Sequence, residues 1–289
     1  MKNKIHLIII LNLTIATLIF TGCNKDWLNY SPIDMYSAKI ETASSDKTLN
    51  VAAVSLQPSK SDKQETLGKM QLLIEQIKVE HPDIEVIVFP ELALEWYYEQ
   101  TQIAEYQQQM SETIPGNSTD FITDVAIANN VTVVFGLTEL DNETGKLYNS
   151  QVLIRPNGEL TKYRKRNLND VDIENLMNSG ENGLVTVEID GVKCAMFVCS
   201  DMQSESITKE IAESDIDVIL HSLTSTTDLN PDISYVGLQM NKWIVFANRF
   251  GDEDYFNYTG FIQIINPAGT VVQRGEGKDV YVYSELQIN

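Results

Sequence analysis

The chain has 289 residues, with 21 lysines and arginines against 41 aspartates and glutamates, a net charge of −20, and 43% hydrophobic residues. So acidic a chain excludes a nucleic-acid partner held in a basic groove, and the length is enough for one large domain with an ample core. Histidine is scarce, with only His81 and His221 beyond the first few residues. A multi-histidine metal site or a serine-histidine-aspartate triad is therefore hard to assemble, so no metal and no cofactor is expected and catalysis falls to carboxylates, lysine and thiol.

Lys2 and Lys4 precede a mostly apolar run from Leu7 to Phe20, followed by Thr21-Gly22-Cys23. This is the layout of a bacterial secretory signal, and the run is too short to span a bilayer as a stable helix. Phe20-Thr21-Gly22-Cys23 resembles a lipobox, in which the signal is cut before the cysteine and the thiol is acylated. Residues 1–22 are expected to form the lipoprotein signal peptide, Cys23 the lipidation site, and residues 23–48, polar and without sustained periodicity, a tether. The protein is then expected in the cell envelope, held to a bacterial membrane by its lipid. An ordinary signal or a buried apolar segment is the plainer alternative for the same run.

The folded body is expected over residues 49–289. From Val51 short apolar strands alternate with amphipathic helices: strand 51–56, helix about 61–79, strand 84–89, helix about 118–129, strand 131–137. Turn signals at Asp141-Asn142-Glu143-Thr144-Gly145 and Pro156-Asn157-Gly158 bracket a strand over 147–154, with 159–165 returning. The theme then repeats, with a strand over 192–199, a helix near 205–213, a strand over 216–223, a helix through 235–241 and a strand over 243–248. Residues 262–265, the turn Asn266-Pro267-Ala268-Gly269 and residues 280–286 close the chain with β structure. Such alternation predicts an α/β layered fold with both sheet faces covered.

Three residues stand at strand ends, where α/β folds place their sites. Glu91 follows Ile87-Val88-Phe89-Pro90, where the proline ends the ladder; Lys165 lies in Tyr163-Arg164-Lys165-Arg166; Cys199 ends its strand at Cys199-Ser200-Asp201. Taken singly, each has an ordinary reading: a solvated loop acid, an exposed basic cluster, a buried core thiol. Cys194 and Cys199 are separated by five residues of one strand, roughly 16 Å, on opposite faces, which excludes a disulfide between them. An exported protein that keeps an unpaired thiol needs a reason for it.

Taken together, Phe89-Pro90-Glu91, Tyr163-Arg164-Lys165 and Val198-Cys199-Ser200-Asp201 resemble, in order and spacing, the glutamate, lysine and nucleophile motifs of the nitrilase (carbon-nitrogen hydrolase) superfamily. Gly136-Leu137-Thr138-Glu139, Tyr148-Asn149, Ala247-Asn248-Arg249-Phe250-Gly251 and Asn266-Pro267-Ala268-Gly269 add to the resemblance. It implies a single-domain α-β-β-α sandwich, a homodimer as in relatives, and hydrolysis of a small-molecule linear amide or N-carbamoyl compound through a thioester on Cys199. Glu91 would be the general base, and Lys165 with the Ser200 backbone N–H would stabilise the oxyanion. Glu139 would hold Lys165 charged. Trp96, with its neighbours Glu95 and Tyr97, and His221 are candidates for the pocket wall, each with a packing role as its plainer reading. The segment Ser200-Asp201-Met202-Gln203-Ser204 lacks an arginine and a proline that many members carry after the nucleophile, which removes the basis for an anionic-substrate preference tied to that arginine. An acyltransferase or nitrilase using the same triad, and a non-catalytic binding lipoprotein on the same fold, are the alternatives.

Overall fold

The computed structural model describes residues 47–98, 103–226 and 240–288. The signal, Cys23 and nearly all of the tether lie outside the described residues, as does most of the helix expected through 235–241. The first strand, β1 (Lys47–Leu56), begins two residues ahead of the expected domain boundary.

Helix α1 (Lys63–Glu80) follows, started by Asp62, whose side chain accepts the Glu65 N–H at 2.9 Å. Its buried residues Leu67, Met70, Leu73, Ile74 and Ile77 recur at three- and four-residue spacing, so one stripe faces the sheet. Then come β2 (Val86–Val88), α2 (Ile103–Met110), α3 (Asn117–Asn129), β3 (Thr132–Leu140), β4 (Leu147–Ile154), β5 (Leu160–Arg164) and the short α4 (Asp170–Glu174). The second half runs β6 (Thr186–Ile189), β7 (Val192–Val198), a 3-10 turn (Cys199–Gln203), α5 (Glu205–Glu213), β8 (Val218–Ser222) and β9 (Trp243–Glu253). The chain closes with β10 (Phe256–Thr259), β11 (Ile262–Ile265), β12 (Val271–Gly275) and β13 (Val280–Ile288).

One sheet is ordered β5-β4-β3-β2-β1, with β13 antiparallel to β1; the other runs β9-β8-β7-β6, with β11 and β12 added beside β9. They join where Ser55 and Leu56 pair with Asn248 and Arg249. Val51, Ala53, Val86, Val88 and Val134 of the first sheet pack against Met196, Val198, Val218, Leu220 and Val245 of the second. The outer face of the first sheet buries Val54, Ile87, Phe89 and Phe135 under Leu67, Met70, Ile74 and Ile122 of α1 and α3. That of the second buries Phe197, Ile219 and Phe246 under Ile207 and Ile211 of α5. The result is the expected α-β-β-α sandwich. Strands covered on both faces need apolar residues at every position, which explains the unbroken runs, and each buried Val, Leu or Ile contributes about 1.5–3 kcal/mol.

One polar residue crosses the apolar seam. Gln151 on β4 accepts the Phe197 N–H at 3.0 Å and donates to Leu220 O at 3.0 Å and Ser222 Oγ at 2.7 Å, while Ser222 Oγ donates to Phe89 O at 2.8 Å. A buried amide so fully satisfied fixes the offset of the two sheets, because slippage would strand its polar atoms.

Candidate active site

The first sheet supplies Glu91 and Lys165, and the second supplies Cys199. Glu91 leaves β2 through Phe89-Pro90, and its turn is backed by Gly136, where an added Cβ would lie 2.4 Å from Leu92 N and 2.9 Å from Glu91 Cα. Only glycine lets β3 approach the turn so closely. Gly136 N donates to Pro90 O at 3.1 Å and Ala93 N to Gly136 O at 2.8 Å. Arg249, buried on β9, donates to the Glu91 carbonyl at 3.1 Å and to that of Leu92, and pairs with Glu253. Glu253 in turn accepts the Tyr97 N–H at 2.8 Å.

Lys165 directly follows β5, with its N–H given to Asn149 O at 2.8 Å. Its fully buried Nζ lies 2.8 Å from Glu91 Oε1 and 2.7 Å from Asp172 Oδ2. Asn149 Nδ2 completes the set, donating to Glu91 Oε1 at 2.7 Å and Asp172 Oδ1 at 3.0 Å. Burial pulls the Lys165 pKa down, but Asp172 and Glu91 outweigh it and leave it well above the ordinary lysine value, so the ammonium is permanent. Glu91 Oε2 is buried with no hydrogen-bond partner among the described residues. An unpartnered buried carboxylate oxygen is costly unless another group is to occupy it.

Cys199 ends β7 at φ 42°, a left-handed backbone conformation rare for a residue with a side chain. Cys199 is partly exposed as a residue, whereas Cys194 is buried. Burial and the Glu91 carboxylate, opposed by Lys165, push the Cys199 thiol well above its ordinary pKa, and the Thr224 backbone N–H donates to the sulfur. The resting group is therefore a neutral thiol that needs a base. Asp201 locks the elbow to the lysine strand. Its carboxylate accepts from Tyr163 Oη at 2.8 Å and from the N–H groups of Val198, Arg166 and Asn167 at 3.1, 3.1 and 2.8 Å.

The structure thus brings Glu91, Lys165 and Cys199 together and corrects two expectations, those for Glu139 and His221. Glu139 does not hold Lys165: it pairs with Lys162 and Arg164 and accepts from Ser150 Oγ at 2.6 Å. It lies on β3, where its side chain meets the strand interiors of β4 and β5 rather than the residue beyond the end of β5; Asp172 takes that place. His221 does not line a pocket. Its ring is buried between Phe197 and Phe246, at centroid distances of 4.8 and 5.4 Å, with Nε2 3.3 Å from the Cys199 carbonyl, and burial lowers its pKa to about 3. Trp96 lies under Lys60, 4.6 Å from its ring, and the aromatic beside Lys165 is Tyr97, whose ring is 5.9 Å from Nζ. Ser200 uses its hydroxyl on Asn167 O at 2.5 Å. Its N–H stands at the start of the 3-10 turn, where the leading amides have no partner within the turn. Among the described residues no group of histidine, cysteine, aspartate and glutamate could hold a metal ion.

Asp172 and Asn149 have roles that sequence reasoning missed. Asn169 caps α4, accepting the Asp172 N–H at 3.0 Å, while Asp172 accepts the Asn169 N–H at 3.0 Å. Asn169-x-x-Asp172 reads as an ordinary capping pair, and only the folded loop aims the carboxylate at Lys165.

A four-layer sandwich with buried carboxylates, an ammonium and a strand-end thiol at its seam defines an enzyme of the nitrilase superfamily. Residues 50–289 match the family model described as carbon-nitrogen hydrolase, so the chain belongs to that family. It is 27% identical to the omega-amidase NIT3 of Saccharomyces cerevisiae, over 82% of this chain and 87% of that protein. It is also 27% identical to a formamidase of Bacillus cereus, over 75% of this chain and 66% of that protein. In fold it is similar to the crystal structure of an amidase from Nesterenkonia sp., with a TM-score of 0.71 at 16% identity, covering 83% of this chain and 90% of that one.

Proposed function

We propose that the enzyme hydrolyses a linear amide or N-carbamoyl compound through a thioester on Cys199. The observation that carries the reading is Glu91: one carboxylate oxygen is fixed by Lys165 and Asn149, the other is buried with no partner among the described residues, and its charge is the one that bears most on the Cys199 thiol, which burial holds in the neutral form. As Cys199 Sγ bonds to the amide carbon, Glu91 takes the thiol proton. The carbonyl oxygen becomes an oxyanion facing the Lys165 ammonium and the Ser200 N–H. Glu91 then gives the proton to the departing nitrogen, the carbon-nitrogen bond breaks, and ammonia or an amine leaves. Water attacks the thioester, with Glu91 taking its proton; the carbon-sulfur bond breaks, Glu91 passes that proton to the departing sulfur to restore the thiol, and the carboxylic acid leaves. Tyr97 flanks the ammonium and limits the room for water.

In this reading Asp172 is a positioning residue, keeping Lys165 charged so that Glu91 is free to move protons. The enzyme would work at the cell envelope, tethered by lipid on Cys23.

An amide substrate given alone to the purified protein is expected to yield acid and ammonia in equal amounts, and added hydroxylamine to divert part of the product to hydroxamate, because a thioester is open to any small amine. A single-turnover burst without a particular acceptor amine, with steady product only in its presence, would replace hydrolysis by acyl transfer.

A further inference from the structure

The charges that bear most on the Cys199 sulfur are those of Glu91, Lys165 and Asp172, with the one ammonium 2.8 Å from Glu91 and 2.7 Å from Asp172, two carboxylates against one cation. The neighbouring cations are each engaged. Arg249 is pinned by Glu253 and the carbonyls of Glu91 and Leu92. Arg164 pairs with Glu139 and Asp141, and Arg166 with Glu210. Lys60 lies over Trp96, and His221, shut between two phenylalanines, is neutral at physiological pH.

The unmet hydrogen-bonding capacity has the same sign. Glu91 Oε2 and Asn149 Oδ1 are buried acceptors without partners among the described residues, while the Asn149 donor is spent on Glu91 and Asp172. Such a site asks for N–H groups, which an amide nitrogen supplies. A carboxylate entering it would give up its hydration beside an excess of negative charge, with each of the neighbouring cations named above already engaged.

We propose that the pocket selects by charge, admitting the amide of an uncharged or cationic acyl group and rejecting one with a carboxylate close to the scissile bond. The substrate class rests on the amide-hydrolase reading above; the charge preference of the pocket does not.

Two measurements on the full-length protein in detergent separate these. The first compares Cys199 labelling by iodoacetamide and iodoacetate, read by mass spectrometry, each rate divided by that of the same reagent with 2-mercaptoethanol. The neutral reagent is expected to win by about ten-fold or more on that scale. The second compares ammonia release from butyramide, succinamate and β-alaninamide, which match in length and differ in charge. Succinamate is expected at least about ten-fold below butyramide in kcat/KM, and β-alaninamide within about three-fold of it or above. Iodoacetate labelling Cys199 as fast as iodoacetamide, or succinamate matching butyramide, overturns the proposal. No ammonia from any of the three or from N-carbamoyl-β-alaninamide, with the reagent preference intact, overturns the hydrolase reading and upholds the charge selection of the pocket.

Discussion

Asp172 Oδ2 stands 2.7 Å from Lys165 Nζ, so a five-residue helix grips the ammonium that follows a neighbouring strand. The grip frees Glu91 from being the sole counter-charge of a buried lysine. Asp172→Asn is expected to stay folded by circular dichroism and to lose about 10-fold to 100-fold in kcat, through misplacement of Lys165. Glu139→Gln, which touches Lys162 and Arg164 instead, is expected to keep kcat within about three-fold. The reverse ranking would return Glu139 to the role expected from the sequence.

Glu91→Gln and Lys165→Met address the chemical step itself. Loss of a general base or an oxyanion donor lowers turnover by about 100-fold or more, so both variants are expected to be nearly inactive. Lys165→Met also leaves two buried carboxylates facing each other without a cation, so its melting temperature is expected to fall. Near-normal turnover in either variant removes that residue from the mechanism.

Thiol chemistry should discriminate between the two cysteines of the domain. Burial raises the pKa of both thiols, so access separates them: Cys194 is buried, whereas Cys199 is partly open and has the Glu91 carboxylate to draw on as a base. Alkylation is expected to abolish activity with the adduct on Cys199, and strong chelators to leave activity unchanged, since side chains and amides supply every proposed role. Inactivation that follows modification of Cys194 instead would contradict the site.

His221 gives a dependence of stability on pH. Its pKa is about 3 in the fold against 6.5 for an ordinary histidine. The unfolded chain therefore takes up the proton first as pH falls. The contribution is complete above about pH 6.5 and is lost progressively down to about pH 3, reaching roughly 3–5 kcal/mol. Denaturant unfolding of wild type and His221→Phe across that window is expected to show a shallower pH slope in the variant. Equal slopes would mean that another group carries the dependence.

Attachment to a membrane is expected to depend on Cys23. Metabolic labelling with a fatty acid should mark wild type and leave Cys23→Ala unmarked; equal incorporation in both would end the lipoprotein reading.

Much of the layering was legible because doubly covered strands write themselves as apolar runs, and helix α5 falls where its periodicity puts it, at Glu205–Glu213. Helix α2 was not, since the stripe Ile103, Tyr106 and Met110 is short and is interrupted by a run of three glutamines. The exposed strand β12 has little periodicity to show, with Val272, Gln273 and Arg274 all open to solvent. At the site, Glu91, Lys165 and Cys199 sit at strand ends, where sequence order maps directly onto place. Asp172 sits in a one-turn helix whose cap with Asn169 is local, but its place at the site is set by distant partners, Asn149 and Lys165, just as Tyr97 is held by the Glu253 carboxylate and Asn175. Long-range partners of that kind leave no local pattern, which is why Glu139, nearer in motif, was the expected partner of Lys165.

The Gln151 brace across the seam also bears on how this enzyme would fail. Base and nucleophile ride on different sheets, so their separation is a gauge of how the two layers are aligned, and a misplacement of about 1 Å can cost about 100-fold in rate. Heat or mild denaturant that lets one layer creep past the other would silence the enzyme while every strand is still paired with its neighbours. Turnover would then be the most sensitive strain meter the molecule carries.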